Sequence, residues 1–82
     1  MTIRLFARLR EIAGRDVIEL DVPQGSSVQA VWTQLASQWP DMAAFGTTVS
    51  GAVNAEYARM SREVNDGDEV AFLPPVSGGA GF

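Results

Sequence analysis

Apolar and polar positions alternate over residues 2–6, TIRLF: Ile3 and Leu5 share one face, and Thr2, Arg4 and Phe6 share the other. A period of two is the signature of a half-buried strand, so these residues predict a first strand. Ile3 and Leu5 form its inward set, which leaves Phe6 facing out. Leu9, Ile12 and Ala13 then recur at helical spacing, with Gly14 placed to end a short helical turn. Alternation returns in VIELDV, residues 17–22, where Ile18, Leu20 and Val22 point inward and Glu19 and Asp21 outward.

The period changes in PQGSSVQAVWTQLASQWP. Val28, Val31, Trp32, Leu35 and Trp39 make one apolar stripe of a helix. Ser26 is its expected N-cap, with Gln29 three residues on as capping-box partner. Pro40 disfavours helical geometry at Trp39 and ends the helix there. Two tryptophans at this spacing read as packing against a sheet rather than as a ligand platform. DMAAFG, residues 41–46, is a short helical turn or a loop. A third strand lies within residues 48–54, with Val49 and Val53 inward, and Asn54 begins a turn. Tyr57 falls in a short fourth strand. In NDGDEVAFLPP an Asp-Gly turn precedes a fifth strand at residues 69–73. Val70 and Phe72 point into the core from that strand; Glu69, Ala71 and Leu73 point out. Pro74 and Pro75 end it, because neither can donate a ladder hydrogen bond.

This order predicts an α+β fold of the ubiquitin-like β-grasp type, a mixed sheet packed on one main helix. It occupies residues 1–74 as one domain, and residues 75–82 form a flexible tail carrying Gly78 and Gly79. The two terminal strands are neighbours in such a sheet, so Phe6 and Leu73 should lie together at the tail's root, with Tyr57 nearby. Apolar groups out of register with the core suggest a docking surface.

Composition narrows the chemistry. The 82 residues contain no Cys and no His, and all six basic residues are Arg. A thiolate nucleophile, a zinc-thiolate site, an imidazole base and a Schiff-base lysine are thereby excluded. No base–nucleophile constellation remains, so the chain is not expected to be an enzyme on its own, nor to bind a metal or cofactor. The net charge of −4 argues against nucleic acid or an anionic membrane as partner and suits a partner with a basic docking surface. No apolar run approaches a membrane span and no signal peptide opens the chain, so a cytoplasmic location is expected.

The block DGDEVAFLPPVSGG, with AVN upstream and RLREIAG after the first strand, resembles the small-subunit family of molybdopterin synthase, the ubiquitin-like sulfur carriers. The resemblance extends over nearly the whole chain to Gly79. It implies that an activating enzyme adenylates the terminal glycine carboxylate with ATP, and that a sulfur donor converts the acyl-adenylate to a thiocarboxylate. The tail then enters the large catalytic subunit and gives its sulfur to a pterin precursor during molybdenum cofactor biosynthesis. Two loaded carriers supply the two sulfurs of the dithiolene, in a heterotetramer built on a dimer of large subunits. Gly79 is the matching position for the acyl group. Phe6, Tyr57 and Leu73 match positions that contact the large subunit or the activating enzyme, and Pro74, Pro75, Val76, Ser77 and Gly78 belong to the inserted segment.

The tail's residues suit that task physically. Without Cys, a terminal acyl group is the means by which this chain can carry sulfur. Gly78 and Gly79 have no Cβ and can pass a narrow channel. Residues 76–79 span about 13 Å when extended, enough to enter a pocket while the body stays outside. Members of the family usually end at the second glycine, whereas here Gly79 is in peptide linkage to Ala80. Either a trimming protease is a further partner and removes Ala80, Gly81 and Phe82, or these three residues are not native to the chain, or this copy is not a working carrier. Other readings are a β-grasp sulfur carrier for thiamine, cysteine or tRNA thiolation, a ubiquitin-like protein modifier, and an interaction module with an inert tail.

Overall fold

The computed structural model describes residues 1–75. The elements run β1 (Thr2–Leu5), α1 (Ala7–Ala13), β2 (Val17–Glu19), α2 (Val28–Gln38), a 3-10 helix (Pro40–Phe45), β3 (Ser50–Val53), β4 (Glu56–Ala58) and β5 (Glu69–Leu73). The strands form one mixed sheet in the order β2-β1-β5-β3-β4. The pairings β1–β2, β3–β5 and β3–β4 are antiparallel, while β1 and β5, the outermost strands in sequence, lie parallel at the centre. This is the β-grasp arrangement that the alternation predicts.

The core lies on one face of the sheet beneath α2. Ile3, Leu5, Ile18, Leu20, Val53, Val70 and Phe72 enter it from the strands, and Val28, Val31, Trp32 and Leu35 from the helix. Trp32 meets Phe72 with ring centroids 5.1 Å apart, a tilted aromatic pair directly under the last strand. Trp39 packs at the margin, half-buried. Both tryptophans thus serve packing.

Several local expectations are corrected. The N-cap of α2 is Ser27, not Ser26: the Ser27 hydroxyl accepts the Ala30 N–H at 3.1 Å. Ser26 instead donates to the Pro23 carbonyl, and Gln29 donates to Thr33 along the helix rather than back to the cap. The first strand ends at Leu5, because Ala7 takes φ 50 and turns the chain into α1. The second strand ends at Glu19, one ladder bond from Leu20 to Met1 carrying it slightly further. Val22 and Val49 lie outside their strands and are half-buried at the core's edge. Residues 41–46 resolve into the 3-10 helix, whose Met42 is fully buried. Gly14 ends α1 at φ 77, a left-handed conformation that costs glycine nothing.

Candidate functional site: the tail root and the open sheet face

β5 delivers the chain to Pro74, half-buried, and Pro75, exposed. The expected site residues Val76, Ser77, Gly78 and Gly79, with Ala80, Gly81 and Phe82, lie outside the described residues. What the structure places is the root from which they leave.

Parallel pairing of β1 with β5 builds that root. Leu5 is opposite Phe72, so Phe6 and Leu73 come level at the next step. Phe6 keeps extended backbone and caps α1 with its carbonyl, which accepts the Leu9 and Arg10 N–H groups. The reversal at Ala7 then carries the chain away before the Phe6 ring can enter the core. Phe6 is 41% exposed, and Leu73 beside it is half-buried on the face away from α2.

Tyr57 shares this open face but not this corner. One row across the sheet reads Arg4–Ala71–Ala52–Tyr57, while Leu73 pairs with Ser50 in the next row. β4 is an edge strand two places from β5, so Tyr57 stands about 10 Å to the side. Ala52 and Ala71 form a low floor between, and the Tyr57 side chain, 79% exposed, rises at its rim. Arg4 closes the other side through an ion pair with Glu69 at 3.6 Å. The face is thus a shallow apolar strip with aromatic groups at Phe6 and Tyr57, rather than one cluster.

Most of the acidic groups lie at the other end of the sheet. Glu19, Asp21, Glu56, Asp66, Asp68 and Glu69, six of the ten acidic residues, sit where β1 and β5 begin or where β2 and β3 end. That is the end of the sheet opposite the tail root. There Asp68 is held in a closed network. It accepts the Asn65 N–H at 2.8 Å and the Asn54 side-chain amide at 3.0 Å, while Asn54 in turn accepts the Glu69 N–H at 3.0 Å. The Asn65 N–H, and after it the Asn54 amide, hold the Asp68 carboxyl below the usual aspartate range. A recess lined by Met1, Val22, Pro23, Gln24, Val64, Asn65 and Asp66 opens at this same end and contains no residue of the tail root.

Among the described residues no cluster of His, Cys, Asp and Glu is arranged to hold a metal ion, and no helix is long and apolar enough to cross a membrane. What this arrangement does is lead the chain out of the sheet's centre. A rigid sheet centre leads into two prolines beside an apolar strip.

Comparison with known proteins agrees with that geometry. The ThiS family model matches residues 3–79. The chain is 38% identical to the molybdopterin synthase sulfur carrier subunit of Arabidopsis thaliana, over 94% of this chain and 80% of that protein. It is 33% identical to the protein of the same name from Escherichia coli, covering 94% of this chain and 96% of the other. Among solved structures, small archaeal modifier protein 1 of Haloferax volcanii superposes with a TM-score of 0.82 at 29% identity, covering 92% of this chain and 95% of that one.

Proposed function

The chain belongs to the ThiS family, and on that premise we propose that it is a sulfur-carrier subunit of molybdopterin synthase that presents Gly79 as its acyl terminus. The observation that carries this reading is the coincidence of the family match with the architecture. The match runs through Gly79, and the fold leads β5 into Pro74 and Pro75 beside Phe6 and Leu73.

In this reading the body is a docking module and the tail carries the cargo. A protease first hydrolyses the Gly79–Ala80 bond, since only a free carboxylate can attack the α-phosphate of ATP. The activating enzyme joins the Gly79 carboxylate to AMP and releases pyrophosphate. A sulfur donor displaces AMP and leaves a thiocarboxylate. Inside the large subunit the sulfur passes to the pterin precursor and the carboxylate returns. Phe6, Leu73 and Tyr57 dock the body, and Pro74 and Pro75 set the direction in which the tail enters.

The test is intact mass spectrometry after incubation with ATP, the activating enzyme and a sulfur donor. The chain trimmed at Gly79 should exchange one oxygen for sulfur, and the untrimmed chain should not. Deleting Gly79 should abolish transfer, because the acyl carbon withdraws by about 3.3 Å, far more than reactive alignment tolerates. A trimmed chain that never gains sulfur overturns the carrier reading. A second reading, a protein modifier joined through Gly79 to lysines of other proteins, is favoured by the likeness to small archaeal modifier protein 1. Amide adducts on target lysines, in place of sulfur delivered to the pterin, would select it.

A further inference from the structure

An activated acyl terminus is attacked by any amine or thiol within reach, and this chain carries almost none. It has no Lys, no Cys and no His; its cationic side chains are Arg4, Arg8, Arg10, Arg15, Arg59 and Arg62. A guanidinium stays protonated at any physiological pH and is no acyl acceptor, whereas a lysine amine is deprotonated often enough to be one. The remaining primary amine is the α-amino group of Met1. Its nitrogen lies 3.8 Å from a Glu19 carboxylate oxygen, and the Met1 side chain is packed away from solvent.

Geometry removes that amine as well. The register Thr2 to Glu69 makes Met1 level with Asp68, at the start of β5. Leu73 and Pro74 each precede a proline, which disfavours helical backbone and keeps the chain extended through Pro75. Pro75 therefore stands about 23 Å from the level of Met1, at roughly 3.3 Å per residue. Residues 76–79 reach about 13 Å. The tail of one molecule cannot bring Gly79 back to its own amine.

We propose that the arginine-only surface and the remote α-amine insulate the carrier from its own activated terminus. This rests on the reading of Gly79 as an acyl donor and adds a property to it: the chain is a donor that cannot be its own acceptor. The reaction avoided is specific. An amine nitrogen would attack the Gly79 acyl carbon, a C–N bond would form, and the C–O bond to phosphate would break. AMP would leave with the electron pair, and the amine would lose a proton to solvent. The dead-end amide could no longer accept sulfur. If the chain modifies other proteins, the same property denies a second copy any lysine to join and leaves the Met1 α-amine as the amine that another molecule's tail could reach.

The test uses residues 1–79, which include every described element, with Gly79 prepared as an alkyl thioester. This probe needs no activating enzyme, so its outcome is independent of whether the chain is adenylated. Wild type should lose the thioester to hydrolysis alone. Arg8→Lys places an amine two residues past Phe6, which is level with Leu73; it should give an internal amide one water lighter than the free acid. Asp66→Lys carries its amine in the recess beside Met1, at the opposite end of the sheet, and should give only concentration-dependent linkage between copies. Self-amides from the wild type overturn the proposal, and so do lysine variants whose thioesters give none.

Discussion

The two ends of the sheet are built to opposite rules. At the acidic end, polar side chains are committed to one another. Asn54, Asp68 and the backbone N–H groups of Asn65 and Glu69 satisfy one another. At the tail end, apolar Phe6 and Leu73 face outward side by side, with Pro74 following. One end has spent its side chains on holding turns in place, and the other has withheld them. A group that stabilises the isolated chain belongs to the first kind, and a group awaiting a partner to the second.

The comparison breaks most severely if the two ends share no core. Leu35→Ala should cost about 2–5 kcal/mol of stability, the range for truncating a fully buried leucine. Urea unfolding followed at both ends should show one common midpoint falling. An unchanged midpoint would mean the α2 stripe does not unite the ends. Next in size, truncating an anchor at the tail end should weaken binding to the large subunit by roughly 2 kcal/mol while the urea midpoint hardly moves. Phe6→Ala and Leu73→Ala test this by titration calorimetry. Loss of stability without loss of affinity would assign both residues to the core instead.

Gly51→Ala sharpens the comparison one residue from the tail root, where Gly51 pairs with Phe72. An added Cβ would stand 2.9 Å from the Val28 Cγ1, so α2 must shift, at a cost of about 1–3 kcal/mol. Thermal unfolding reads the loss, and an unchanged melting temperature would show that α2 can move freely. The smallest effect is expected at Asp68. Its folded carboxyl is held below the unfolded value, so the stabilisation is fully present above the ordinary aspartate range and lost as pH falls through the folded pKa. The group is exposed, so the effect is slight. Wild type should exceed Asp68→Ala slightly in urea midpoint at neutral pH, and the difference should vanish in acid. A difference that persists unchanged in acid would place the effect outside the carboxylate's hydrogen bonds.

Strand identities and the helix face were readable because period two and period 3.6 leave residue-by-residue marks. Ile3, Leu5, Val70 and Phe72 alternate as they must, and the same alternation left Phe6 outside. Met42 and Val64 are fully buried yet belong to no periodic run; each is a lone apolar residue in a short or irregular segment, and only tertiary folding decides its fate. The choice between Ser26 and Ser27 rested on a single residue of register, which the Ala30 N–H settles in space. The separation of Tyr57 from Leu73 was hidden for a different reason. It depends on strand order, in which β3 stands between β4 and β5, and no local pattern encodes it. The end-to-end distribution of charge is likewise topological, since net charge says nothing of place.

The parallel seating of β1 against β5 has a mechanical consequence. A partner that draws the tail into a pocket pulls along the axis of β5, which is paired on both sides by β1 and β3. Ladder bonds run across that axis, so the load is shared among them in shear rather than taken one bond at a time, as in peeling an edge strand. Had the tail followed β2 or β4, each three residues long and paired on one side only, traction would unzip the domain from its border. A tail rooted at the sheet's centre can be gripped, threaded and released while the body that presents it keeps its shape.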